Sequence, residues 1–206
     1  MAMTISLSDA GKRYNREWIF RRINYSFTSG NAYAITGTNG SGKSTLLQVI
    51  SGALMPNEGK IEYNLNGKAV APENMYKHVA LCAPYLDLVE EMTLSEFLDF
   101  HQQFKPLLKG LGSKDVIGLL GLEAATDRQI RFFSSGMKQR VKLAQCLLSD
   151  SEIILLDEPC TNLDEAGIAL YHQLVKNYTS EKIVVVSSND KTEYLFYGKH
   201  FEARRV

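Results

Sequence analysis

The chain has 206 residues, 45% of them hydrophobic, which is enough to bury a core and is the usual size of a single domain. Its 23 lysines and arginines balance its 23 aspartates and glutamates, so no overall field draws it to nucleic acid or to an anionic membrane. Its longest apolar runs fall far short of the roughly 20 residues of a membrane helix, and its first residues lack the pattern of a secretory signal. Its three cysteines, with no Cys-x-x-Cys spacing, fit reduced thiols. We therefore expect a cytoplasmic protein that does not cross a bilayer itself.

Short strands and one helix are predicted for the first part of the chain. Branched and aromatic residues between turn residues predict strands at Thr4–Leu7, Trp18–Phe27, Asn31–Thr36, Gly59–Leu65 and His78–Cys82. A helix is predicted at Ser44–Ala53, because apolar residues recur there at three- and four-residue spacing. The third strand therefore leads through a glycine-rich turn into a helix.

The pattern becomes helical between about Thr93 and Leu148. Thr93 and Glu96 form a Thr-x-x-Glu capping box, which predicts the start of a helix. Apolar residues at helical spacing predict a further helix from about Gly136 to Leu148. This part of the chain is therefore predicted to be a mostly helical insertion.

Two continuous apolar runs follow the helical region, at Ile153–Asp157 and Ile183–Ser187. Both are rich in branched residues, as is typical of strands buried on both faces of a parallel sheet. They flank a predicted helix from about Asp164 to Tyr178. The elements together predict an α/β domain.

A phosphate-binding loop is predicted between the third strand and the first helix. The segment Gly37-Thr38-Asn39-Gly40-Ser41-Gly42-Lys43-Ser44 matches the pattern Gly-x-x-x-x-Gly-Lys-Ser/Thr. Its glycines let backbone N–H groups point inward around phosphate, and the helix that follows adds its positive end. Lys43 would reach the β- and γ-phosphates, Ser44 would place its hydroxyl on Mg²⁺, and Thr45 would support the α-phosphate region. The alternative, a glycine-rich turn with an incidental lysine, does not account for the strand-to-helix context.

Two acids, Asp157 and Glu158, end the first apolar run. The carboxyl end of a buried parallel strand faces the crevice in which α/β folds bind ligands. Asp157 suits the second protein ligand of Mg²⁺, and Glu158 suits a general base for the water that attacks the γ-phosphate. The alternative is a pair of charges at the start of a helix.

The segment Phe133-Ser134-Ser135-Gly136-Met137-Lys138-Gln139-Arg140 resembles the signature segment of ABC-type ATPases. A polar helix cap would explain Ser134 or Ser135 alone, but not the position of the segment ahead of the two acids. The loop Thr161-Asn162-Leu163-Asp164 completes four motifs in the order of that family. The resemblance covers essentially the whole chain. It implies a P-loop NTPase core with an antiparallel β subdomain, residues 1–85 and 150–206, and an inserted α-helical subdomain, about residues 86–149.

The resemblance also implies how such a domain works. Two domains close face to face around ATP and Mg²⁺, so Ser134 and the Gly136 backbone would face the γ-phosphate held by the partner, in an ATP-dependent homodimer or heterodimer. Tyr14 resembles the aromatic residue of the family that stacks on adenine. Trp18 is a competing candidate, and a core tyrosine is the other interpretation of Tyr14.

Two positions depart from the pattern of the family. A glutamine that touches Mg²⁺ and the attacking water usually follows the strand at His78–Cys82, but this chain continues with Ala83-Pro84-Tyr85. The usual switch histidine is replaced by Asn189, whose amide still offers two donors to a γ-phosphate. Because losing one preorganised donor typically costs about 10² to 10³ in rate, we expect slow but real hydrolysis that requires Glu158.

Three functions remain open from the sequence. The first is an ATP-hydrolysing subunit that drives a separately encoded membrane permease from the cytoplasmic face, which the length of a single cassette and several aromatic residues favour. The second is a soluble ABC-type protein acting on nucleic acid or ribosomes, which is disfavoured because the chain has no basic arm, long coiled coil or second cassette. The third is a nucleotide-binding regulator with little hydrolysis, which the two departures suggest.

Overall fold

The computed structural model describes residues 2–195 and 198–202. These residues form a four-stranded antiparallel sheet, a five-stranded parallel sheet and five α-helices. The predicted α/β architecture is confirmed.

The antiparallel sheet has the strand order β2-β1-β4-β5. Its strands are β1 (Met3–Tyr14), β2 (Glu17–Thr28), β4 (Glu58–Leu65) and β5 (Lys68–Val70). β1 and β2 are longer than predicted, and the pairing register between them shifts three times between Leu7 and Arg13. Such bulges break the alternation of inward and outward residues, so the sequence pattern showed only the regular part of each strand.

The parallel sheet has the order β6-β7-β8-β3-β9. Its strands are β3 (Asn31–Thr36), β6 (Val79–Cys82), β7 (Ile153–Asp157), β8 (Ile183–Ser187) and β9 (Lys199–Glu202). Every residue of β7 and β8 is buried, as their apolar runs predicted. Asp157 pairs with Ser187, and Ser187 pairs with Ile35, so β7, β8 and β3 end at the same edge.

The helices are α1 (Lys43–Ile50), α2 (Leu94–Phe104), α3 (Ser113–Leu120), α4 (Ser135–Leu147) and α5 (Glu165–Tyr178). The predicted capping box is present at the start of α2. Thr93 Oγ1 accepts a hydrogen bond from the Glu96 amide at 3.3 Å, and Glu96 Oε2 accepts one from the Thr93 amide at 2.9 Å. α3 was not predicted, because glycines interrupt its sequence pattern.

Alternate residues of the parallel sheet face two different cores. Ile153 and Leu155 of β7 pack with α1 and the antiparallel sheet, whereas Ile154 and Leu156 pack with helices α2 to α5. The parallel sheet is therefore the shared layer, and burial on both of its faces fixes the edge where β7, β8 and β3 end. Burial also raises the pKa of the Cys82 and Cys160 thiols to about 12, which keeps them neutral.

In the ranges that the structure describes, no helix is both long enough and apolar enough to span a membrane. Helices α2, α3 and α4 fall within the helical subdomain predicted at about residues 86–149. The exact division of the chain into subdomains stays a prediction.

Candidate nucleotide-binding site

A loop of unusual backbone conformation connects β3 to α1. Gly37, Gly40 and Gly42 have φ angles of 145°, 78° and 95°, which other residues rarely adopt. A Cβ atom at Gly42 would overlap with the side chain of Ile19 from β2. Because no side chain of the described residues caps α1, the N–H groups of its first turn remain available to an anion.

Lys43 lies across this loop and is almost fully buried. Its Nζ donates to the carbonyl oxygens of Gly37 at 2.8 Å and Thr38 at 3.3 Å. An ammonium group has three donors, so one remains for a ligand. Ser41 Oγ is buried and has no hydrogen-bond partner within the described ranges, which suits a loop built to hold phosphate oxygens.

A pocket of about 300 Å³, which we call the cradle pocket, opens beside the loop. It is lined by Ile19, Asn39, Gly40, Gly42, Lys43, Ser44, Thr45 and Glu158. Glu158 directly follows β7, which is separated from β3 by β8. The structure therefore brings the predicted phosphate loop and the second predicted acid together. Gly37 and Ser41 belong to the loop but do not line this pocket. Ile19 was missed by the sequence analysis, because only the packing of β2 against the loop brings it there.

The two acids leave β7 in different environments. Asp157 is buried, with only 4% of its surface exposed. Glu158 is partly exposed, and its backbone is left-handed with φ of 46°. The Glu158 amide donates to the Ser187 carbonyl at 2.9 Å, which holds this residue against the end of β8.

A second cavity of about 390 Å³, which we call the acid cavity, adjoins the cradle pocket and shares Asn39 and Glu158 with it. Its remaining lining is Cys160, Thr161, Leu163, Ile168, Ser188, Asn189, Asp190 and Glu193. Asn189 Nδ2 donates to Asn39 Oδ1 at 2.8 Å. The segment after β8 is thus joined directly to the phosphate loop.

Ser134 and Gly136 lie at the start of α4 and line neither cavity. Ser134 is exposed and caps the helix, since its Oγ accepts from the Met137 amide at 3.2 Å. A Cβ atom at Gly136 would lie 3.1 Å from the carbonyl oxygen of Asn162, so the signature segment packs against the loop after the two acids. Gln139 strengthens that contact, because its Nε2 donates to the Pro159 carbonyl at 2.7 Å.

The two aromatic candidates for base stacking differ in accessibility. Tyr14, at the end of β1, is 47% exposed and does not line the cradle pocket. Trp18 is half-buried, with the guanidinium of Arg21 4.4 Å and that of Arg13 5.5 Å from its ring centroid. Lys12 Nζ also lies 5.8 Å from the centroid of the Tyr14 ring, so it is the greater exposure of Tyr14 that favours it over Trp18 as a stacking surface.

The loop after β6 carries no glutamine, as the sequence indicated. Ala83 is buried, and Pro84 and Tyr85 are exposed. The Pro84 carbonyl accepts from Lys142 Nζ at 3.4 Å, and the Tyr85 hydroxyl lies 3.3 Å from Gln48 Nε2. The loop is therefore held to both α4 and α1.

Comparisons with known proteins identify the family of the chain. The family model described as "ABC transporter" matches residues 20–161. An uncharacterized ABC transporter ATP-binding protein of Bacillus subtilis, YybJ, is 30% identical over 198 residues, covering 93% of this chain and 88% of the relative. The cytochrome c biogenesis ATP-binding export protein CcmA of Agrobacterium fabrum is 28% identical over 190 residues, covering 90% of this chain and 88% of that protein.

The fold comparison gives the same result. A solved structure described as a dimeric post-hydrolysis state of the ATP-binding cassette MJ0796, bound to ADP and Pi, superposes with a TM-score of 0.82. It is 22% identical and covers 97% of this chain and 94% of that one, so it supports the fold: a P-loop NTPase cassette. The predicted family and activity are confirmed by the family model and the curated relatives. The chain belongs to the ABC transporter family and is one of its ATP-binding cassettes, the ATPases that power transport.

Proposed function

We propose that the cradle pocket binds Mg-ATP and that Glu158 acts as the general base in its hydrolysis, to drive a membrane permease formed by a separate chain. The observation that carries this proposal is the shared lining of one pocket by Lys43, Ser44 and Glu158. A carboxylate beside a phosphate loop has the position that a base for the attacking water requires.

The phosphates are held by the loop and by the start of α1. The backbone N–H groups of Asn39 to Thr45 surround them, and the remaining donor of Lys43 binds the β- and γ-phosphates. The positive end of α1 adds to this attraction. The base stacks on Tyr14, an exposed ring at the end of β1.

Ser44 and Asp157 are the residues that would hold Mg²⁺ at this site. These donors fit the ion, because Mg²⁺ prefers oxygen ligands and usually takes only one or two from the protein. Asp157 also supplies a buried carboxylate, whose charge such an ion would neutralise. When bound, Mg²⁺ would supply positive charge that offsets the negative charge of the phosphates.

Glu158 accepts the proton of the attacking water as the water oxygen bonds to the γ-phosphorus and ADP leaves. Asn189 supports this step as a neutral donor, because one hydrogen of its Nδ2 is taken by Asn39 and the other remains for the terminal phosphate. Two family positions lack their usual side chains, at Pro84 and at Asn189, so turnover is slow.

Ser134 and Gly136 act on the nucleotide of a second cassette. Both lie outside the cradle pocket of their own chain, at the N-terminus of a 13-residue helix. A helix N-terminus attracts phosphate, so an ATP-dependent dimer places this segment on the partner's γ-phosphate. The two cassettes are two copies of this chain or this chain and a related one.

The permease docks beside the helical part of the chain, on the cytoplasmic face of the membrane. Phe100 and Phe104 pack edge to face with their ring centroids 5.0 Å apart, and Phe104 is 72% exposed. Tyr76, also strongly exposed, is joined to the same helix because Lys105 Nζ donates to its carbonyl at 2.6 Å. Phe104→Ser should leave ATP hydrolysis unchanged and weaken copurification with the permease. Unchanged copurification would exclude this surface.

The proposal is tested by the release of phosphate from Mg-ATP by the purified chain. Lys43→Ala should abolish ATP binding and hydrolysis together, since it removes a charge from the phosphates. Binding of RNA in place of a membrane subunit would instead favour a soluble function on nucleic acid, and an absence of hydrolysis in the wild-type chain would favour a regulator.

A further inference from the structure

Glu193 is a buried acid that the proposed mechanism does not use. It ends the 3₁₀ turn Lys191–Glu193 and is only 4% exposed. Its Oε1 accepts a hydrogen bond from the Cys160 amide at 2.7 Å, and its carbonyl accepts one from the Tyr171 hydroxyl at 2.8 Å. Its other carboxylate oxygen, Oε2, is buried without a hydrogen-bond partner among the described residues.

The position of Glu193 joins the two loops that carry the proposed catalytic groups. Cys160, which it binds, lies two residues after Glu158, and the turn that carries Glu193 follows Asn189 closely. Glu158, Asn189 and Glu193 all line the acid cavity. A single side chain therefore connects the segment after β7 to the segment after β8.

Burying a carboxylate is unfavourable for folding. Burial raises the pKa of Glu193, and the nearby Ser188 hydroxyl and the hydrogen bond from the Cys160 amide oppose this effect only in part. An apolar residue of similar volume would remove this cost, so stability alone does not explain an acid at this position. Glu193 instead connects two elements. Its side-chain Oε1 binds the loop after β7 through the Cys160 amide, and its carbonyl oxygen binds α5 through the Tyr171 hydroxyl.

We propose that Glu193 is a positioning residue for ATP hydrolysis, which sets the direction of the Glu158 side chain by fixing the Cys160 amide. The proposal rests on the role of Glu158 proposed above. Glu158 stands in a left-handed conformation between two anchors, its own amide on the Ser187 carbonyl and the Cys160 amide on Glu193. Without the hydrogen bond between the Cys160 amide and Glu193, the loop after β7 can change its conformation. The Glu158 carboxylate would then no longer be placed to accept the proton of the attacking water.

Two variants separate the reach of this side chain from its charge. Glu193→Gln keeps an acceptor oxygen at the same distance and removes the charge. Glu193→Asp keeps the charge but is one C–C bond, about 1.5 Å, shorter, so the acceptor no longer reaches the Cys160 amide. Since a misplacement of about 1 Å can cost about 10²-fold, Glu193→Asp should lower kcat at least about tenfold. Its KM for ATP should stay within about threefold, and Glu193→Gln should keep kcat within about threefold of the wild type.

Tyr171→Phe is the matched control, because it removes the hydrogen bond on the opposite side of Glu193. It should lower the melting temperature and keep kcat. The proposal is overturned if Glu193→Asp retains full kcat, if both Glu193 variants lose kcat equally, or if Tyr171→Phe loses kcat as much as Glu193→Asp. A wild-type chain without hydrolysis would overturn the proposed function and this inference together, whereas an active wild type with an unaffected Glu193→Asp overturns this inference alone.

Discussion

The side-chain amide of Asn189 donates to Oδ1 of Asn39 at 2.8 Å, which ties the segment after β8 to the phosphate loop. Asn39 lines both the cradle pocket and the acid cavity, so this hydrogen bond stands where the two meet. An amide at position 189 can hold the loop with one hydrogen and contact a terminal phosphate with the other.

Asn189→Ala should lower kcat for ATP hydrolysis by about 10²-fold, because it removes a preorganised donor to the developing charge. ATP affinity should change little, since Lys43 and the loop N–H groups remain. Steady-state phosphate release and ATP titration measure the two effects. A loss of affinity with kcat unchanged would show that Asn189 supports binding and not turnover.

Gly42→Ala should abolish ATP binding and lower the free energy of unfolding by about 1–3 kcal/mol, because φ is positive there and the new methyl group meets Ile19. Gly40→Ala is the matched control, since its φ is also positive but no atom lies within 4 Å of the added Cβ. Denaturant unfolding and calorimetry with Mg-ATP separate the two variants. Identical behaviour of both would mean that the contact with Ile19 has no influence.

The sequence predicted the strands that carry this site better than the residues that surround it. β7 and β8 were predicted within a residue, because a buried parallel strand needs an unbroken apolar run. β3 was also predicted within a residue, from branched and aromatic residues between turn residues. Ile19 could not be predicted, since it reaches the phosphate loop only through the packing of β2. Glu193 carried no signal either, because a single acid after a strand is ordinary in a sequence and only its burial distinguishes it.

Tyr14→Ala should weaken ATP binding about tenfold, which corresponds to the loss of one aromatic stacking contact with a base. Tyr14→Phe should bind as the wild type does, because the ring and not the hydroxyl is required. Trp18→Phe should leave the affinity unchanged. A loss of affinity with Trp18→Phe and none with Tyr14→Ala, measured by calorimetry, would transfer the stacking role to Trp18.

Ser134→Ala should reduce ATP-dependent dimerisation and also lower the free energy of unfolding by about 1 kcal/mol, because Ser134 caps α4. Thr93→Ala removes the cap of α2 and should have a similar cost in stability without affecting the dimer. Analytical ultracentrifugation with ATP, using chains that also carry Glu158→Gln to slow hydrolysis, compares the two. If both variants dimerise alike, Ser134 does not contact the nucleotide of the partner.

Phosphate release and ATP binding in the Glu158→Gln variant, measured side by side, test the account most directly. The substitution keeps the size of the side chain and removes only its ability to accept a proton. We predict that Glu158→Gln binds ATP as tightly as the wild type does and hydrolyses it at least about 10²-fold more slowly. Chelation of Mg²⁺ should reduce hydrolysis by the wild type to the same extent. Hydrolysis at the wild-type rate in Glu158→Gln would contradict the assignment of this residue as the base at the cradle pocket.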